Sequence, residues 1–169
     1  MTQTLLEQAI VEEATKKSGL IWVRGTRPAQ ALWHVWHEGA VVLVGDGPGE
    51  QPLPGLADGG EAEVTVRSKD KGGRLVAWTA DVTELVPDSD EWQAAVAELK
   101  GKRLNAPDGE AMVSRWGREC RVVRLAPRVI STDLPSGSLA VVPVASPATT
   151  RQAMPAGLPK LLLKRKRRT

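Results

Sequence analysis

The stretch from Leu20 to Leu56 limits what this chain can fold into more than any other part of it. It carries three short apolar runs, Leu20–Arg24, Ala29–Trp36 and Ala40–Gly45, separated by Gly25-Thr26-Arg27-Pro28 and by Glu38-Gly39. Runs this short, rich in Val, Trp and Leu and punctuated by Gly and Pro, read as strands joined by tight turns. Ala40–Val44 is apolar throughout, as a strand covered on both faces must be. Alternation along Ala29–Trp36 puts Trp33 and Val35 on one side and Leu32, His34 and Trp36 on the other. Both faces then carry large groups, and one is expected to meet a partner chain or a flat ligand. A Gly/Pro-rich segment, Gly45–Gly55, closes the unit.

The flanks extend the pattern. Thr4-Leu5-Leu6-Glu7 has capping-box spacing, and Leu6, Ala9, Ile10 and Ala14 fall near one helical face, so residues 5–17 are expected to form an amphipathic helix lying on the sheet or plugging a barrel end. Glu61–Arg67 alternates, with Ala62, Val64 and Val66 facing in. Arg74–Val86 reads as a long strand with Val76, Trp78, Ala80 and Val82 on one side. Asp88 and Glu91 have cap spacing before Trp92, Ala95, Val96 and Leu99, whose period marks a helix of about three turns. Asp108–Trp116 holds a short helix, and Glu119–Leu125 is a last strand before Pro127. Hairpin-linked strands without βαβ units predict a mainly β protein with minor α, an antiparallel split β-barrel over residues 1–130.

Beyond the barrel the composition changes. Residues 131–157 are rich in Pro, Ser and Ala and read as a linker, with a short edge strand at Leu139–Val142. The tail 158–169 holds Lys160, Lys164, Arg165, Lys166, Arg167 and Arg168 and no acid, so the rest of the chain carries 17 basic residues against 20 acidic ones. Such a tail is either a solvated end or a contact with nucleic acid, another polyanion or an anionic membrane surface. No opening stretch resembles a signal peptide and no run is long enough to be a membrane helix, which makes a cytoplasmic protein the default expectation. Heavy use of Ala, Val, Gly and Arg fits a GC-rich bacterial genome.

With six Trp and neither Phe nor Tyr, the indoles must supply all large-ring packing. An indole can also stack on a ligand ring. A single cysteine, Cys120, excludes an intramolecular disulfide and a four-cysteine zinc site, and reads as a small buried hydrophobe in the last strand. His34 and His37 are the only histidines and, three apart on a strand, face opposite sides, so they cannot chelate one metal together. Gly45-Asp-Gly47-Pro-Gly49 follows a strand but lacks the G-x-G-x-x-G spacing and an ensuing helix. It reads as a ligand-contacting turn or an ordinary loop rather than a dinucleotide site. No Ser-His-acid or Cys-His arrangement stands out, so any chemistry would be a cofactor's.

Gly25-x-x-Pro28-x-Gln30-Ala31-Leu32-Trp33-His34-Val35-Trp36 and the following Gly39-Ala40-Val41-Val42-Leu43-Val44-Gly45 resemble the paired strands of the split-barrel flavin-binding family. Pyridoxamine phosphate oxidase and many actinobacterial flavin- or deazaflavin-dependent reductases belong to it. The first of the two strands is one residue shorter around Ala31. Arg121-Val-Val-Arg-Leu-Ala-Pro127 resembles its closing strand, and the likeness spans residues 4–128. The resemblance implies a homodimer with FMN or a deazaflavin in a groove between subunits, and an oxidoreductase acting on a small-molecule substrate. It implies that Gln30, Ala31, Leu32 and Trp33 line the ring, that Gly45, Asp46 and Gly47 approach the ribityl phosphate, and that Arg67, Lys69 or Arg74 supplies charge. The family's phosphate loop continues with a Ser/Thr-Arg-Lys cluster; here the chain reads Asp46-Gly-Pro-Gly-Glu50-Gln-Pro-Leu-Pro, with two acids and no cation. The alternative expectation is a split-barrel binding or interaction module that has lost the flavin, tethered by its tail to nucleic acid or another polyanion.

Overall fold

Thr4 and Glu7 form the expected capping box: the Thr4 hydroxyl accepts from the Glu7 N–H at 3.3 Å and the Glu7 carboxylate accepts from the Thr4 N–H at 2.9 Å. It opens helix α1, Leu5–Lys17. The computed structural model describes residues 4–67 and 75–131. After Ser131 the expected linker, the edge strand at Leu139–Val142 and the basic tail lie outside the described residues, as does the turn containing Lys69 and Arg74.

Among the described residues seven strands follow: β1 (Ile21–Arg24), β2 (Gln30–Leu32), β3 (Val35–His37), β4 (Ala40–Gly45), β5 (Glu61–Arg67), β6 (Leu75–Glu84) and β7 (Arg121–Ser131). Helix α2 (Asp90–Lys102), a 3-10 turn at Gly109–Ala111 and helix α3 (Met112–Glu119) are inserted before β7. All pairings are antiparallel, in the order β2-β1-β5-β6-β7-β4-β3. The two edge strands are consecutive in the chain and joined only by Trp33 and His34. A linker of two residues spans roughly 7 to 10 Å, so the sheet must curl until its edges nearly meet. That is a split barrel.

Here the single strand expected over Ala29–Trp36 is corrected. It breaks at Trp33–His34, and its halves pair at opposite edges of the sheet, β2 with β1 and β3 with β4. The alternation still holds across the break: Leu32 and Trp36 join the barrel interior, while Trp33 and Val35 join an outer cluster. Between β3 and β4, Glu38 and Gly39 both have positive φ, as a tight two-residue hairpin with right-twisted strands requires.

Every residue of β4 is buried, because the strand has a core on each side. Val41 and Leu43 point into the barrel with Ile21, Val64, Trp78 and Leu125. Val42 and Val44 point outward beneath α2 and α3, against Trp92, Leu99, Met112 and Trp116. β5 alternates as expected, and Trp92, Ala95, Val96 and Leu99 form the buried face of α2.

Four further expectations need correction. The α1 face that is buried carries Val11, Ala14 and Thr15, whereas Leu6 and Ile10 are exposed. On that face the Thr15 carbonyl is within hydrogen-bond reach of His34. The N-cap of α2 is Ser89, whose hydroxyl accepts from the Trp92 N–H at 3.2 Å; Asp88 precedes it with φ +66°. β7 does not stop at Pro127. Ala80 pairs with Pro127 and Thr79 with Val129, so Arg128 is an extra residue in a bulge, where a strand tolerates a residue without an N–H. Cys120 ends α3 rather than lying in β7, and it is half-buried, with its thiol pushed up mainly by burial.

His34 ties α1 to the barrel mouth. Its Nε2 lies 2.8 Å from the Thr15 carbonyl and donates to it, and the residue is buried. Burial, reinforced by the charge of Lys102, holds the imidazole below its ordinary value of 6.5, against the opposing hydrogen bond to Thr15. The neutral ring is therefore favoured by folding. The contribution is complete above about pH 6.5 and is lost as the pH falls from there through the lower folded-state value, because the unfolded chain takes up the proton first. Urea unfolding is expected to show this loss below about pH 6.5 and a flatter profile in His34→Gln; an unchanged profile would place the dependence on other groups.

Candidate functional site: the loop after β4

Gly45 ends β4 and starts a loop that folds back on itself. The Asp46 N–H donates to the Gln51 carbonyl at 3.0 Å and the Glu50 N–H to the Gly47 carbonyl at 3.2 Å. Asp46, at φ +57°, turns its carboxylate inward, where Oδ1 accepts from the Leu53 N–H at 2.8 Å. The two glycines are required by this chain's own packing. A Cβ on Gly45 would stand 2.3 Å from the Gln51 carbonyl oxygen, and one on Gly47 would stand 2.4 Å from both Cys120 Sγ and the Glu119 carbonyl oxygen.

Gln51 repairs the break between β2 and β3. Its Oε1 accepts from the Trp33 N–H at 2.9 Å, and its Nε2 donates to the carbonyls of Trp33 at 2.9 Å and Val44 at 3.3 Å. A side-chain amide thus stands in for the strand partner that Trp33 lacks. Removing it leaves half-buried backbone groups unpaired.

The charges of the loop are met from the helices and from β7. Arg103, the C-cap of α2, places Nε 3.3 Å from Glu50 Oε2, donates from Nη2 to the Gly49 carbonyl at 3.2 Å, and lies over the Trp33 ring at 5.7 Å. Arg115 on α3 reaches Glu50 Oε1 through Nη2 at 3.2 Å and donates from Nη1 to the Pro48 carbonyl. It also forks onto Asp108, with Nε to Oδ2 at 2.6 Å and Nη2 to Oδ1 at 3.1 Å. Trp116 adds an indole N–H to Glu50 Oε1 at 3.0 Å. The Glu50 side chain has 0% exposure. The hydrogen bond with Asp108, more than that with Glu50, raises the Arg115 guanidinium further above its ordinary value, and the same bond lowers Asp108. Arg121 is held similarly, first by Glu84 at 2.7 Å and then by Asp46 at 3.0 Å.

The residues expected to hold a cofactor are partly brought together. Trp33 is half-buried and joined to the Gly45–Gln51 loop through Gln51 and Arg103. Gln30 and Ala31 are exposed on β2, whereas the Leu32 side chain is buried in the barrel. Ala31 pairs with Trp22 and Trp22 with Thr65, so these three share the outer face, and Arg67, two residues beyond Thr65, alternates onto it as an exposed residue. Lys69 and Arg74 lie outside the described residues. Among the described residues, cavities of about 210 and 350 Å³ lie away from this loop. The larger, about 350 Å³, is lined by His37, Glu38, Thr83, Glu91 and Arg124 among others, and by none of the residues expected to hold a cofactor. Among the described residues, no cluster of His, Cys, Asp and Glu could hold a metal.

A phosphate does not fit the loop. Arg103, Arg115 and Arg121 are engaged by Asp46, Glu50, Glu84 and Asp108, which leaves the cluster one negative charge in excess before any ligand arrives. The sequence reading missed Glu50, Gln51, Arg103, Arg115 and Trp116 as a unit. The available signal was the pair of acids in a Gly/Pro loop with no local cation, which obliges cations to come from elsewhere. Gln51→Leu is expected to cost about 2 kcal/mol in urea unfolding. A cost within about 0.5 kcal/mol, as at ordinary surface positions, would show that the amide does not bridge the strand break.

Neither a family-level sequence model nor a curated protein matches the chain. Solved structures do match. The haem storage protein HutZ of Vibrio cholerae superposes with a TM-score of 0.54 at 11% identity, over 73% of this chain and 92% of that one. A conserved hypothetical protein of Mycobacterium tuberculosis gives 0.54 at 12% identity, over 77% and 84%. An FAD-binding protein of Mycobacterium smegmatis gives 0.48 at 17% identity, over 76% and 93%. The sheet order, the closing of its edges at Trp33–His34 and the likeness to HutZ and to the Mycobacterium tuberculosis protein show a split β-barrel fold.

Proposed function

We propose that the protein is a split-barrel binding protein that works as a homodimer and takes a planar ring against the outer face of β1 and β2, without holding that ring by a phosphate. The observation that carries the reading is the mutual pairing of the acids and arginines around Gly45–Glu50, which removes the charge a phosphate needs. The ring side of the expected site is open by comparison. Gln30 and Ala31 are exposed, and beside them Trp22 keeps 53% of its surface, with Leu20 two residues before it also exposed. Exposed tryptophan with apolar neighbours suits a subunit interface or a stacking platform. HutZ, a haem storage protein, indicates that this fold also serves in a protein that stores a planar group other than flavin.

The second reading is a flavin- or deazaflavin-dependent oxidoreductase. Arg67 favours it, since an exposed guanidinium on the same face as Trp22 offers a phosphate a different anchor from the loop. In that case FMN would supply the hydride chemistry, and this chain's part would be to bind and orient the ring.

Fluorescence titration with FMN and with riboflavin separates the two. Phosphate-independent binding predicts affinities within about threefold of each other, lost together in Trp22→Lys, which also yields monomers in sedimentation. FMN binding about tenfold or more tighter than riboflavin would overturn this reading in favour of the oxidoreductase, since a tenfold ratio is about 1.4 kcal/mol of phosphate recognition. Binding of neither would overturn the ring site.

A further inference from the structure

Glu50 brings a carboxylate into a place already furnished for one. Arg115 Nη2 and the Trp116 indole N–H converge on Oε1 at 3.2 and 3.0 Å, and Arg103 Nε stands 3.3 Å from Oε2, which has no well-aligned hydrogen bond of its own. The donors come from the end of α2 and from α3, and the anion comes from the loop. The loop is also docked without its carboxylate. Gly49 and Pro48 give their carbonyls to Arg103 and Arg115, and Gln51 is anchored at Trp33 and Val44. Removing the carboxylate alone would therefore leave the donors in place around an empty, acetate-sized space.

We infer that Arg103, Arg115 and Trp116 form a carboxylate receptor whose resident anion is Glu50, so that this chain fills from within a position where a ligand's anion could otherwise bind. Tethering decides the competition. A carboxylate on a short loop has an effective concentration in the millimolar range or above, so a free monocarboxylate at low concentration does not displace it. Leaving the receptor empty is also unfavourable, because Arg115 keeps Asp108 but the half-buried Arg103 loses its carboxylate partner. A phosphate is excluded more strongly, since its second charge would face Asp108. The inference rests on the loop network alone and stands whether or not the outer face binds a ring.

The test is chemical rescue in the full chain. Glu50→Ala is expected to melt lower than the parent and to regain about 3 °C or more in sodium acetate over sodium chloride at equal ionic strength and pH, in a saturable manner. The parent is expected to melt alike in both salts, and Glu50→Ala/Arg115→Met to lose the response. Equal behaviour of Glu50→Ala in the two salts, or an acetate response in the parent, would overturn the inference. Should Glu50→Ala fail to fold, Glu50→Gln keeps the volume and removes the charge. It is expected to melt lower than the parent without responding to acetate, and a melting temperature equal to the parent's would overturn the inference.

Discussion

β4 is the element on which the rest of the structure depends, because it has to be apolar on both faces. Val41 and Leu43 close the barrel interior and Val42 and Val44 floor the outer cluster under α2 and α3, so the two cores are separated by one layer of sheet, with β4 between β3 and β7. Burying one such side chain stabilises the fold by roughly 1.5 to 3 kcal/mol, and this strand does so on both sides. It also leaves its successor no choice. The loop from Gly45 leaves the sheet between the barrel and the helices, where Gly45 and Gly47 come close to neighbouring backbone and the buried Glu50 carboxylate and the Asp46 carboxylate are met from within the chain.

That loop is where fold and site part company. The sheet order and edge closure are those of a split barrel, and the same architecture carries a haem storage protein. Fold does not imply function. The position that the resemblance reserves for a phosphate is instead occupied by Glu50 and Asp46, with Arg103, Arg115 and Arg121 drawn in to meet them. A guanidinium already forked onto a carboxylate has few donors left to offer a ligand. The outer face around Trp22 and Ala31, by contrast, is exposed, and it is there that the proposed ring site lies.

Much of the fold was legible in the residues because it rests on local periodicity. The capping box at Thr4 and Glu7, the alternation of β5, the two-sided burial of β4 and the apolar face of α2 each follow from short-range pattern. The break at Trp33–His34 was not legible, since it needs Gln51, eighteen residues on, to satisfy the exposed backbone. Nor was the rotation of α1, which turns Val11, Ala14 and Thr15 inward, beside His34, and leaves Leu6 and Ile10 exposed. The site was legible only in outline. Two acids in a cation-free loop can be read from the chain, but which arginines answer them depends on how α2 and α3 pack. Arg103 and Arg115 lie more than fifty residues away from Glu50.

The most direct measurement of whether the loop's charge is satisfied from within is a double-mutant cycle between Glu50 and Arg115, using Glu50→Gln, Arg115→Met and the pair, each followed by urea unfolding. A buried, mutually dependent pair predicts a coupling of about 2 kcal/mol or more, with the double variant more stable than the Arg115 single variant, because removing both charges leaves neither stranded. Additive effects, with a coupling below about 0.5 kcal/mol as at exposed pairs, would contradict the account.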